Sequence, residues 1–224
     1  GTIDILKYLT SAQAETLGDD YNIVQGSMNL VHAMYLNSAY EPLSKTEVRQ
    51  ALCYAVDRDA INNFIFGGKS HIIGSHMIPA MSKYYEPEAE TVYSYDPEKA
   101  KELLAEAGYP DGEGFPAITY KYPSLQLDSD MAQALQAQWK TNLGIEVELQ
   151  AEEQQVQVAE RRSGDFQLAR MRWTADFTDP FTFLSMYRSN DSYNDNKTNC
   201  PEYDELMAQS NEESDPAARF ELLH

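Results

Sequence analysis

What most restricts the fold is the way two periodicities take turns along the chain. Ala100, Leu103, Leu104 and Ala107 recur at three- and four-residue steps, and Ile118, Tyr120 and Tyr122 then alternate with Thr119 and Lys121. Met131, Leu135, Trp139 and Leu143 return to four-residue steps, and Ile145, Val147 and Leu149 alternate again with Glu146, Glu148 and Gln150. The first spacing lines one face of a helix and the second one face of a strand. Helices interleaved with strands specify an α/β layout, and no internal repeat or low-complexity tract interrupts it. The same pattern extends in both directions. Leu30 to Asn37 alternates as a strand that includes His32, and Val48, Leu52, Ala55 and Val56 mark a helix. That helix is interrupted at Asp57-Arg58-Asp59 and resumes, capped by Asp57 or Asp59, until Gly67-Gly68. Asp96-Pro97 and Asp215-Pro216 each read as a cap followed by proline in the first turn, and Pro201 opens a further helix. Thr2 to Leu6 reads as a short strand and 12–17 as a short helix, while 69–94 is expected to be an ordered surface excursion.

The stretch with the most site-like chemistry runs from Phe166 to Leu184. Phe166, Leu168, Arg170 and Arg172 share one face of a predicted strand, and Gln167, Ala169, Met171 and Trp173 the other. A polar loop through Asp176 follows, then Asp179-Pro180, a cap and first-turn proline for a helix through Phe181, Leu184 and Tyr187. Open α/β sheets place ligands at such strand-to-helix loops, beyond the carboxyl ends of strands. Asp176 is therefore read as a ligand-facing carboxylate, set against the alternative of a solvated turn residue. The polar tract 189–199 is a further loop, able to offer hydrogen bonds or simply to be solvated.

Several functions lose their support. The net charge of −19 argues against nucleic acid and anionic membrane surfaces as partners. No apolar run approaches the ~20 residues of a membrane helix. A Gly-X-Ser-X-Gly elbow, a phosphate-binding P-loop and a Gly-X-Gly-X-X-Gly turn are all missing from the sequence. Asp176 and Asp179 form a conceivable glycosidase pair, but the second is assigned to a helix cap. His71 and His76 lack the spacing and accompanying Glu of a zinc-binding helix, so no metal site is read. Cys53 and Cys200 are compatible with one disulfide or with two separate thiols.

Four blocks, in order, then resemble a known family: Val48–Ile61, Tyr95–Gly112, the segments Gly164–Ala169 and Thr178–Leu184 with the stretch between them, and Pro201–Leu206. They are similar to the extracellular solute-binding proteins of peptide and nickel ABC transporters, the oligopeptide- and dipeptide-binding group. The resemblance covers nearly all of the chain from Met28 and implies one lobe of a type II periplasmic-binding-protein-like fold, a mixed sheet flanked by helices. It implies that 1–26 lead in from a first lobe and that 27–224 form a second ligand-binding lobe, cut short at its C-terminus. It also implies an extended peptide bound between lobes, delivery to a membrane permease, no chemistry and no cofactor. Export to the periplasm or to the cell surface as a lipoprotein follows on the same ground, although no export signal is present in this sequence. Trp173-Thr174-Ala175-Asp176-Phe177 matches the family's Trp-X-Ala-Asp-Tyr-like motif, so Asp176 is the implied reader of a ligand α-amino group and Trp173 a wall of the site. Arg170 matches a position where some members meet a ligand carboxylate. Arg172 departs from the family's usual Gly before the Trp, and a long cation there would narrow the cleft or read a carboxylate. A nickel complex or an oligosaccharide is the alternative ligand within the family, and a peptide or carbohydrate hydrolase is the alternative outside it.

Overall fold

The structure is a computed structural model of the chain, and it describes residues 11–17, 21–24, 28–70 and 93–224. In chain order its elements are α1 (Ser11–Thr16), β1 (Leu30–Leu36), α2 (Thr46–Tyr54), α3 (Arg58–Phe66), α4 (Pro97–Glu106), β2 (Ile118–Pro123) and α5 (Gln126–Leu143). There follow β3 (Val147–Glu152), α6 (Gln154–Ser163), β4 (Leu168–Thr174), α7 (Phe181–Leu184), α8 (Pro201–Glu212) and α9 (Pro216–Leu223). The expected strand at Thr2–Leu6, and His71 and His76 within the expected excursion, lie outside the described residues.

The strands form one mixed sheet in the order β1-β4-β2-β3. β2 runs parallel to both β3 and β4, and β1 runs antiparallel to β4 with Leu30 opposite Thr174 and Leu36 opposite Leu168. Each face of the sheet has its own cover. Ile118, Tyr120, Tyr122 and Leu168 pack into a large core with α2, α4 and α5. On the opposite face Tyr35, Ala169 and Met171 pack with Phe166 and Met186, and Trp173 and Tyr187 lie against them. α6 covers this second face, where Glu160 pairs with Lys121 of β2 and the Arg161 guanidinium lies 5.8 Å from the Tyr35 ring centre. The connection leaving β2 thus goes to one face, and those leaving β3 and β4 go to the other. Such a reversal opens a crevice at the carboxyl ends of the strands.

Local chemistry explains most boundaries. Asp57, Asp96 and Asp215 each accept a hydrogen bond from a backbone N–H three residues on, which ends the orphaned state of a first-turn donor. Between α2 and α3 the chain bends at 55–57, where α5 takes over the hydrogen bonding. The Trp139 indole N–H donates to the Leu52 carbonyl at 3.0 Å, Asn142 to the Ala55 carbonyl at 2.8 Å, and Gln138 bonds both the N–H and the C=O of Asp57. Helix α5 begins at Gln126, earlier than the four-residue stripe from Asp130 suggests. It ends at Gly144, whose φ of 69° and approach to the turn around Asp111 leave no room for a side chain. Cys53 and Cys200 are both free thiols, the first partly buried and the second exposed.

Candidate functional site

Strand β4 carries Leu168 to Trp173 on the predicted faces, whereas Phe166 lies before the strand and packs with Ala169 and Met171 on the face opposite to the one expected. Arg170 is 2 % exposed. Its Nε donates to Asp128 Oδ1 at 2.7 Å, its Nη1 to the carbonyls of Ala33 and Met171, and its Nη2 to Nδ1 of His32. The guanidinium therefore binds β1, β4 and the first turn of α5 together, and its donors point inward. A buried cation needs this density of acceptors, since an unanswered charge in the interior costs several kcal/mol. Because Nδ1 of His32 accepts from Arg170, that imidazole is neutral with its proton on Nε2. Burial, with the Arg170 and Arg172 charges adding to it, lowers the His32 pKa to about 3. Its ring lies against Phe66 at 5.4 Å.

Two residues along, on the same face of β4, Arg172 is exposed and stands opposite His32 in the ladder. Among the described residues no hydrogen bond, ion pair or ring contact engages its guanidinium. Trp173, on the other face, is half-buried and meets Tyr193 edge-on at 5.0 Å. Its indole N–H is buried and has no acceptor among the described residues. The tract 189–199 is thus part of the packing under the tryptophan rather than a purely solvated loop. Asn194 and Asp195 within it are buried, and Asp195 holds Arg161 of α6 at 2.8 Å.

Beyond Thr174 the loop is held at both ends while its centre stays open. Ala175 N–H donates to the Asn29 carbonyl at 2.8 Å, and Asp176 N–H to Thr182 Oγ1 at 3.3 Å. Asp179 accepts from the Phe181 N–H at 3.0 Å and takes Arg219 of α9 in a two-pronged pair, both contacts at 2.8 Å. The expected cap is displaced: α7 starts one residue later than the proline pattern implies, so Pro180 holds the cap position and Asp179 bonds the first helical N–H from one residue outside it. The Asp176 carboxylate between these anchors is exposed, and no described residue bonds to it. Each of the four chain segments at this edge of the sheet carries an exposed apolar side chain: Met28 (53 %), Leu125 (45 %), Val156 (48 %) and Phe177 (52 %).

The sequence reading missed two contributors. Asp128 lies 42 residues before its partner Arg170, with nothing local to mark the pair. Helix α6 was given no bounds or residues beyond the alternation of helices and strands, because it buries Gln157 and no apolar stripe, and that amide donates to the Arg170 carbonyl at 3.1 Å. An open concavity of about 540 Å³ on α6, lined by Glu153, Gln154, Val158 and Arg162 among others, borders none of the candidate residues. Among the described residues there is no cluster of three or more potential metal ligands, and no helix is long and apolar enough to cross a membrane.

Comparisons with known proteins bear on this edge of the sheet. The sequence profile of bacterial extracellular solute-binding proteins, family 5 (middle region), matches residues 1–195. The oligopeptide-binding protein OppA of Bacillus subtilis is 31% identical over 223 residues, covering 97% of this chain and 41% of that protein. The crystal structure of a periplasmic oligopeptide-binding protein from Borrelia burgdorferi superposes with a TM-score of 0.82 at 33% identity, covering 93% of this chain and 41% of that one. DppA of Helicobacter pylori, solved in complex with the peptide STSA, superposes with a TM-score of 0.81 at 25% identity over 95% of this chain and 42% of its own. The chain spans about two fifths of the length of these relatives.

Proposed function

The chain belongs to the bacterial extracellular solute-binding proteins of family 5, and from that premise we propose that it forms one wall of a peptide-binding cleft in the substrate-capturing component of an ABC importer. In this reading residues 27–224 are the second lobe, 1–26 lead in from the first, and the Asp176 carboxylate reads the α-amino group of the peptide. The captured peptide is delivered to a membrane permease, and the lobe does no chemistry of its own. The protein works outside the cytoplasmic membrane.

The observation that carries the proposal is the state of Asp176. It is an exposed carboxylate with no partner among the described residues, on a loop pinned at both ends, at the carboxyl edge of the sheet and next to the exposed Phe177. A charge-assisted bond from a ligand ammonium would satisfy it, and the fixed loop lowers the ordering cost of binding. Trp173, three positions earlier and braced by Tyr193, supplies a rigid aromatic surface in this reading. The peptide relatives at similar coverage point to the same ligand class.

The test is calorimetric titration of the full-length protein with short peptides that carry a free or an acetylated N-terminus. Free-amine peptides are expected to bind, with acetylation and Asp176→Asn each lowering affinity by about tenfold or more, the scale of a lost charge-assisted hydrogen bond. Equal affinity for acetylated peptides, or unchanged affinity in Asp176→Asn, would remove Asp176 from the site.

A further inference from the structure

The structure separates two arginines that the sequence places side by side. All five donors of a guanidinium are strong and costly to leave unanswered once water is excluded. Arg170 has spent its donors on Asp128, His32 and two carbonyls, and it is closed to solvent. Arg172 is exposed two positions further toward the carboxyl edge. Each of the other arginines is engaged: Arg49 and Arg58 with carbonyls, Arg161, Arg188 and Arg219 with aspartates, and Arg162 with the Tyr193 ring. Arg172 is the one arginine without any among the described residues. It sits in a chain with 36 acidic and 17 basic residues, so a cation left unpaired at this edge stands out against its own protein.

From this we infer that Arg172 is the specificity-determining cation of the site and that it takes a ligand carboxylate while Asp176 holds the ammonium. The inference rests on the peptide-binding reading above and narrows it to zwitterionic or acidic short peptides. Geometry fits such a ligand. Arg172 and Asp176 are four positions apart, so their Cα atoms are at most about 13 Å from each other. A peptide of three or four residues spans about 10–14 Å when extended. Opposite charges within that limit can meet the two ends of such a peptide, or its amino end and an acidic side chain. Arg170 cannot take that part without surrendering Asp128. Arg172→Gln, by contrast, breaks no internal contact, so the variant keeps the fold.

The experiment titrates wild-type and Arg172→Gln full-length protein with trialanine, its C-terminal amide and the C-terminal amide of Ala-Asp-Ala. In wild type, amidation of trialanine is expected to weaken binding by about tenfold or more, the scale of a charge-assisted contact, if the chain end is read. If an acidic side chain is read instead, Ala-Asp-Ala amide binds tighter than trialanine amide by a similar factor. In Arg172→Gln either preference collapses to within about twofold, the scale left when no charged contact distinguishes the ligands. A preference that survives the substitution, or wild-type protein indifferent to the carboxylate, overturns the role of Arg172 and leaves the peptide reading standing. Failure of wild-type protein to bind any of the three peptides overturns both.

Discussion

A buried arginine forces its neighbours into defined protonation states, and around Arg170 the most constrained neighbour is His32. The imidazole accepts from the guanidinium, so it must stay neutral, and its pKa falls from 6.5 to about 3. Between those values the unfolded chain binds a proton that the folded chain excludes. Stability therefore rises with pH across that window and is lost as pH falls below 6.5, at about 1.4 kcal/mol per unit from this group alone. His32→Asn keeps an acceptor for Arg170 and removes the titration. Comparing urea unfolding at pH 7 and pH 4.5, the wild type is expected to lose about 2–3 kcal/mol more than the variant over that interval. Parallel losses would mean that the folded protein admits the proton at His32. None of this was visible in the sequence, where His32 reads only as one residue of an alternating strand. Its chemistry comes from Arg170, which lies 138 residues away and faces it only once β1 and β4 pair.

At the scale of elements, the candidate loop is held by a helix that follows it by 40 residues. Arg219 of α9 grips the Asp179 carboxylate with both prongs and donates from Nε to the Ser210 carbonyl of α8 at 2.8 Å. The pair is mostly shielded from water, so it is worth more than a surface ion pair, about 1.5–3 kcal/mol for hydrogen bonds between charged groups. Arg219→Ala should speed amide exchange in 216–223 and 177–183 by tenfold or more while the β1–β4 ladder keeps its protection, as hydrogen exchange with mass spectrometry would report. Uniform acceleration across the sheet would show instead that α9 belongs to the global core. The elements themselves were largely legible. Aspartate caps at 57, 96 and 215, the alternating strands, and the apolar stripe of α5 all carry local signals that survive in the fold. Helix α6 was not legible, because Gln157 and Arg161 attach it through hydrogen bonds and charge rather than through a periodic apolar face. The start of α5 escaped for a related reason, since Leu125 at its cap position gives no side-chain bond to announce it. Of the candidate site, the face shared by the arginines and the exposure of Asp176 followed from pattern. The division of labour between Arg170 and Arg172 did not, because it depends on Asp128.

For the molecule as a whole, what matters is that in the proposed function this edge of the sheet is only one wall. Ligand sites bury roughly 70–90% of a small ligand's surface. Here Asp176 is exposed, and the four apolar side chains along the same edge are each about half exposed. A peptide resting on them alone would keep one side in water, where its bond to Asp176 competes with hydration and the charge is screened. It would still lose its own conformational freedom and its translational freedom, costs that do not shrink with the area of contact. The 224-residue chain by itself should therefore bind trialanine at least about a hundredfold more weakly than the full-length protein, a difference of about 2.7 kcal/mol. Side-by-side calorimetry of the two would measure it, with Asp176→Asn in both backgrounds as the control. In the full-length protein that substitution should be costly, and in the isolated chain nearly silent, because a solvated carboxylate contributes little to ammonium binding. Matching affinities would mean that these residues complete the site unaided and that the apolar side chains of this edge, rather than an opposing wall, exclude the water.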